Sequence, residues 1–536
     1  MTQQTKKRLL GMGLTLVPAL VLGLLLGSAR AARAAGTVGS GTGTCNDAGL
    51  NTAMAGGGLV LFNCGPGPVT LSITLKTLVS GTTTLDGGAG QITLDGQNGN
   101  QLFVVTGTAT LNIKNLTLAR GFTNVGNGGA IYNHGVLSIT NSTLADSHST
   151  SGLGGGLYND TGLVALDHVT FRGNSAGSGA GLYNYQGTLT IANSTFVTNT
   201  GTGGLFSGIG GGGFYNSNGS TTTVTNTTFL SNTSSYDGGA VLNRGALSVT
   251  NSSLTGNLAW YGGGIENQSP GANLYLVDTT LRANQAYTTY FGGQGNGGGL
   301  DNYVGTAVLS GVTLDANFAA SGGGLENDTG TLTLTASTLS YNSAGYGGGL
   351  QTAHGASALT NVTLSGNSAT VLGGGYENYH GRGTLTNVTL SGNTAPSAGG
   401  IYQLGTLASQ IITLTDTLVA HGVAGQDCLS PSATFSITSN NYNLADDTSC
   451  NAYFLKPNDQ KNVNPLLGVL ANNGGLTLTH LPAANSPAVD QGGLVCPATD
   501  QRDISRPQNG LCDIGAVERA TSFVPTNWLY LPLVRK

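Results

Sequence analysis

Four of the 24 acidic residues in this 536-residue chain share one sequence environment: Glu266, Asp301, Glu326 and Glu377. Each stands one place after an apolar residue that follows a small-residue triplet, as in Gly322-Gly323-Gly324-Leu325-Glu326. Gln351 holds the same place between the last two, and Tyr132, Tyr158, Tyr183, Tyr215 and Leu242 hold it earlier in the chain. Paired carboxylates about 5–10 Å apart are the reagents of glycoside hydrolysis. A carboxylate cluster beside a base can serve calcium-dependent polysaccharide cleavage. Glu266, Asp301, Glu326 and Glu377 are therefore the candidate catalytic residues. Just upstream of the triplets stand Trp260, Tyr261, Tyr287, Tyr290, Phe291 and Tyr346, with Phe206, Tyr236 and Phe318 at equivalent places. Aromatic faces stack on sugar rings while carboxylates accept hydrogen bonds from hydroxyls, so the first six are candidate glycan-binding residues. Bases are few and scattered: Lys114, Arg120, Arg172, Arg244, Arg282 and Arg382. The stretch Gly173-Asn174-Ser175-Ala176-Gly177 has the pattern of a nucleophile elbow, but Gly366-Asn367-Ser368-Ala369 repeats it in register, which marks a turn.

The elements that position these residues follow from a repeat. The triplet, an apolar residue, a variable residue and usually Asn recur in eleven copies, from Ile131 to Ile401. Most copies lie about 25 residues apart, with two longer intervals whose insertions fall in the aromatic turn. Within a unit the apolar residues alternate with polar ones, as in Thr331-Leu332-Thr333-Leu334-Thr335, and helical periodicity is missing. Three short strands in such a unit cannot enclose a core of their own. They can form one coil of a parallel β-helix that buries its apolar residues against the next coil. Equivalent residues then stack about 4.8 Å apart. Two Asn columns result: one running from Asn133 to Asn378 and broken by Thr352 and Gln403, the other from Asn174 to Asn393. Stacked amides can satisfy one another along such columns. If Ile265 and Leu325 point inward, alternation places the carboxylate column on the outer face. There, neighbours about 5 Å apart raise one another's pKa or recruit a cation.

Composition agrees. The chain has 89 glycines, 8% charged residues and a formal net charge of -5, which argues against a nucleic-acid partner, disorder and collagen. Lys6, Lys7 and Arg8 precede an apolar run over 9–26 and a small-residue tail, so residues 1–35 read as a cleaved export signal, after which no membrane span is expected. Six cysteines suit an exported chain. With none between 65 and 427, neighbour pairing is the simplest arrangement: Cys45 with Cys64, Cys428 with Cys450, and Cys496 with Cys512. Zinc is disfavoured because no Cys-x-x-Cys or suitably spaced His accompanies them.

Gly128-Gly129-Ala130-Ile131, with Phe171-Arg172-Gly173-Asn174 and Phe196-Val197-Thr198-Asn199, resembles the repeats of polymorphic outer membrane proteins. That resemblance implies an all-β, single-stranded right-handed parallel β-helix. The 421–519 segment is similar to the choice-of-anchor Q region of bacterial surface proteins, through Ser486-Pro487-Ala488-Val489-Asp490, Asp500-Gln501-Arg502, Arg506-Pro507 and Cys512-Asp513-Ile514-Gly515-Ala516-Val517-Glu518. It implies surface attachment and no particular reaction. The expected organisation is a signal at 1–35, an N-terminal cap at 36–68, the β-helix at 69–420, the anchor-like region at 421–519 and a tail at 520–536, with both ends of the rod capped. The expected function is a secreted or surface-displayed β-helix, adhesin-like or structural, with polysaccharide or cell-surface glycan as its partner. A polysaccharide lyase or glycoside hydrolase is the alternative. No cofactor is expected, calcium being the one ion the carboxylate column would admit.

Overall fold

The computed structural model describes residues 34–519, apart from 40–44, 90, 204–209, 288–294, 421, 423–425, 433 and 435. The expected leader, most of which precedes residue 34, and the tail from 520 lie outside the described residues.

The chain winds into a parallel β-helix. Each coil contributes one strand to a fourteen-stranded sheet that begins with Thr77–Val79 and ends with Cys428–Leu429. A large sheet collects the alternating segments that follow, either as one strand, as in Thr331–Ser340, or as two, as in Thr306–Ser310 and Thr313–Asp315. A third set of short strands, such as Ser343–Tyr346, leads into the next glycine triplet. Pairing is in register, so Leu300, Leu325 and Leu350 stack on one another, as do Leu309, Leu334 and Leu359. All six are buried in one continuous core. Phe171, Phe196 and Phe229 stack in the same core, with ring centroids 4.6 and 4.9 Å apart.

The Asn columns close the turns. Asn174, Asn199, Asn232 and Asn257 each pass an amide N–H to the next side-chain carbonyl at 2.9–3.0 Å, and each is fully buried. In the other column, Asn327 meets Thr352 and donates instead to Ser357 Oγ (3.1 Å), which lies 2.6 Å from Thr352 Oγ1. Gln403 continues that column, accepting from Asn378 at 2.6 Å.

The first residue of each triplet, glycine in all but Ala398, bends the chain with positive φ, +61° at Gly322 and +62° at Ala398. A Cβ at Gly322 would stand 2.6 Å from the Leu325 carbonyl oxygen and 2.7 Å from the Glu326 Cβ. Only glycine fits such a bend without strain.

At the N-terminal end, Ala34–Val38 pairs with Gly58–Phe62, which joins the large sheet. Helix α1, Asp47–Met54, buries Leu50, Ala53 and Met54 beside them. Asn46 caps α1 by accepting from the Gly49 N–H (2.9 Å), and the disulfide Cys45–Cys64 ties the segment down. At the other end the coils run past Ala420. Ile437–Asn441, Leu444–Ala445 and Gln460–Lys461 still pair in parallel, so the boundary expected at 420 falls inside the helix, and Cys428–Cys450 joins its last coils.

The chain then folds back along the side of the rod. Residues 464–519, which hold Cys496–Cys512, lie on a column of stacked threonines. Thr338 Oγ1 donates to the Leu478 carbonyl (2.6 Å), Thr363 Oγ1 to Gln501 Oε1 (2.7 Å), and Thr389 Oγ1 accepts from the Ala516 N–H (2.9 Å). The anchor-like motifs supply the strap's own interior: Arg502 pairs with Asp500 at 2.8 Å and Arg506 with Glu518 at 3.0 Å, all with nearly inaccessible side chains. Among the described residues, no helix is long and apolar enough to cross a membrane.

Gly322→Ala is expected to destabilise its coil by about 1–2 kcal/mol or more from left-handed strain alone, whereas Gly271→Ala, with open space around it, stays within about 0.5 kcal/mol. Hydrogen exchange across the two coils checks this, and equal effects would contradict it. Arg506→Met, which leaves Glu518 buried without its partner, is expected to release the 464–519 strap to limited proteolysis at a cost of about 3–5 kcal/mol, while the coils stay protected.

Candidate functional site

Strand alternation turns Leu325 inward and Glu326 to the opposite face, as the sequence suggested, but that face is not open to solvent. Glu266 is 1% exposed, Asp301 3%, Glu326 3% and Glu377 1%. The expectation of an outward, accessible carboxylate column is thus corrected. Its cause is the glycine bend. The segment before each triplet folds back against the strand after it and forms a second wall. Asp237, Tyr261, Asn296, Ser321 and Tyr346 are bridged coil to coil along that wall.

The column itself is in register: Leu242, Glu266, Asp301, Glu326, Gln351, Glu377 and Tyr402 are successive partners. Gln351 Nε2 donates to Glu377 Oε2 at 3.0 Å. Both carboxylate oxygens of Asp237, Oε2 of Glu266, Oδ1 of Asp301 and Oε2 of Glu326 have no hydrogen-bond partner among the described residues. Burial, reinforced by neighbouring acids, pushes Glu266 and Glu326 well above the usual carboxylate range. Burial likewise raises Asp301 and Glu377 to about 8 and Asp237 to about 7, the last opposed by Arg244. A stack of acids that cannot reach water keeps its protons.

A calcium ion takes six to eight oxygens at about 2.3–2.6 Å. Among the described residues, the acidic trio with ligand atoms mutually within 4.8 Å is Asp490, Asp513 and Glu518 in the strap, not members of the column. The trio already receives the Asp490 N–H on Asp513 (2.7 Å) and Arg506 on Glu518 (3.0 Å).

The aromatic candidates divide. Trp260 and Tyr261 stack at 5.3 Å, with Tyr236 edge-on to both. Trp260 is buried, so this cluster is a lid over the acids and not an open platform. Burial, Tyr236 and the acids Asp301, Asp237 and Glu266 raise the Tyr261 phenol to about 12. Tyr287 is half-buried, its hydroxyl donating to the Ser235 carbonyl at 3.2 Å. Tyr346 stands on the same wall as Tyr261 but three coils further on. Tyr290 and Phe291 lie outside the described residues.

In the earlier coils the same column holds tyrosines, and Tyr158, Tyr183 and Tyr215 are likewise buried, 5–7% exposed. Tyr132, Tyr158 and Tyr183 stack at 5.4 Å intervals, and Tyr215 meets Tyr183 edge-on at 4.4 Å. The Arg244 guanidinium sits over the Tyr215 ring at 5.7 Å, with Nε on Gln268 Oε1 at 2.9 Å and Asp237 at 3.8 Å behind it. A pocket of about 480 Å³ opens there, lined by Tyr185, Tyr215, Arg244 and Gln268 with Gln186, Asn218 and neighbouring residues. The sequence treated Arg244 as one of several scattered bases. Its one signal was its place just after Asn243, at the point where the column changes from tyrosine to acid.

No family model and no curated protein matches the chain. Two solved structures resemble its fold. Pectate lyase Pel9A is 16% identical, with a TM-score of 0.29 over 86% of this chain and 88% of that one. The A-module of mannuronan C-5 epimerase AlgE6 from Azotobacter vinelandii is 10% identical, with a TM-score of 0.27 over 73% and 91%. A likeness of this degree carries no argument about activity.

The buried acids make stability depend on pH. In the unfolded chain they ionise near pH 4; in the folded chain Asp301 and Glu377 hold their protons to about 8. Between those values the folded state binds more protons, so stability falls as pH rises from about 4 to about 8. Gln351 shows that an amide fits the column. Glu326→Gln is accordingly expected to raise the Tm at pH 8, leave it unchanged near pH 4 and flatten the profile between, read by calorimetry. A wild-type Tm that rises with pH would exclude a protonated ladder.

Proposed function

We propose that this protein is an exported, surface-displayed β-helix of adhesin type that binds glycans and does not cleave them. The observation that carries this reading is which groups meet water. The carboxyl groups of the column are sealed, whereas beside the buried Tyr183 and Tyr215 a pocket of about 480 Å³ opens at Tyr185 and Arg244, which are 39% and 30% exposed. A sealed acid cannot approach a glycosidic oxygen, and general acid–base work requires hydrogen-bond reach. Rings and neutral hydrogen-bonding groups around an open pocket are what sugar recognition uses. Three disulfides fit an oxidising, extracellular setting. The resemblance of the C-terminal motifs to a choice-of-anchor Q region supports attachment at the surface, with the strap as the structured part of that region.

A glycan array combined with reducing-sugar and lyase assays on the exported chain tests the reading. Binding without turnover is expected. Turnover that disappears in Glu326→Gln would overturn it in favour of a polysaccharide lyase or hydrolase, and failure to retain any glycan would leave a purely structural envelope component.

A further inference from the structure

Pocket chemistry points beyond glycans in general. The pocket spans four successive coils, from the strand Leu182–Tyr185 to Gln268 at the end of Ile265–Gln268, or roughly 14 Å along the rod. Its volume of about 480 Å³ lies within the range of small-ligand sites, roughly 300–1,000 Å³. Tyr185 is 39% exposed and lines the opening with its ring nearly parallel to that of Tyr158, at an interplanar angle of 16°. Around it stand neutral groups that hydrogen-bond in either direction: Gln186, Ser217, Asn218 and Ser269.

One formal charge lines this pocket, the Arg244 guanidinium, whose side chain is 30% exposed. Its orientation is fixed before any ligand arrives, by Nε and Nη2 both donating to Gln268 Oε1 and by the Tyr215 ring beneath. Its counter-charge does not line the pocket, because Asp237 is fully buried on the far side at 3.8 Å. On a chain with a formal net charge of -5, the opening is thus a local exception, cationic at its floor and neutral at its rim. A guanidinium held rigid and partly shielded from water favours an anion, and a carboxylate at the opening meets its positive charge.

We propose that this pocket binds carboxylate-bearing sugars, with the acid group on Arg244 and the pyranose ring against Tyr185; this rests on the glycan-binding reading above. The ligand is a uronate-type residue within a polysaccharide. The rim groups take its hydroxyls.

Isothermal titration of the full chain with tri-galacturonate and with the neutral galactose trisaccharide of the same linkage tests both levels. Wild type is expected to bind the acidic trisaccharide about tenfold more tightly, the difference that one charge-assisted contact of about 1.4 kcal/mol supplies, and to lose that margin as salt is raised. Arg244→Gln is expected to equalise the two ligands, and Tyr185→Ala to weaken both. Because Arg244→Gln leaves Asp237 buried without its counter-charge, the double variant Arg244→Gln with Asp237→Asn serves as the folded control and is expected to show the same equalisation. Equal wild-type affinities, or an acidic preference that survives in the double variant, would overturn the carboxylate assignment while the glycan reading stood. No binding of either trisaccharide, with no glycan retained on the array, would remove both.

Discussion

Everything in this molecule depends on one constraint: each side chain has as its nearest neighbour the equivalent side chain of the next coil, about 4.8 Å away. Residue types that tolerate stacking on themselves are rewarded, and those that do not are exposed as anomalies. Asparagine stacks well because its amide is donor and acceptor at once, so Asn174 to Asn393 form a continuous chain of buried hydrogen bonds without any charge. Phenylalanine stacks well by offset ring contact, as Phe171, Phe196 and Phe229 do. The low charge content of the chain follows from the same rule, since like charges placed opposite one another repel.

The carboxylate column is where that rule is broken. Stacked and enclosed, Glu266, Asp301 and Glu326 can coexist by retaining protons, since burial and neighbouring acids raise them above the usual carboxylate range. Alignment at this spacing resembles a catalytic pair on paper. Burial changes what it means: groups that a substrate cannot touch become a feature of stability, and the nearby Trp260, Tyr261 and Tyr236 become their cover. From two coils before Glu266 back toward the N-terminus, the same place in the repeat holds tyrosines, which stack without conflict beside the opening at Arg244. One repeat position thus holds buried acids in the later coils and a buried tyrosine stack, flanking the pocket, in the earlier ones.

The C-terminal strap uses the same regularity from outside. A column of threonines in register offers hydroxyls at a fixed pitch, and residues 464–519 meet it with Leu478, Gln501 and Ala516. The motif residues Asp500, Arg502, Arg506, Asp513 and Glu518 turn inward and hold the strap's own fold together. A segment too small for a core of its own is thus built around buried ion pairs and rests on the rod.

The coil period, the strand content, both Asn columns and the three disulfide pairs were all legible in the sequence, because each is a local or strictly periodic property. Period-two alternation even assigned the correct side of the strand to Glu326 and its equivalents. What lies on that side was not legible. Burial is decided by whatever else folds onto a face, and here the segment before each triplet covers the column position, while Tyr185 and Arg244, two residues further along their coils, stay partly open. The return of the strap to Thr338, Thr363 and Thr389, some 130 residues away along the chain, is equally non-local. Sequence spacing determined which residues are stacked neighbours; only tertiary structure decided which of those stacks meet water, because accessibility depends on the relative placement of segments that share no sequence period.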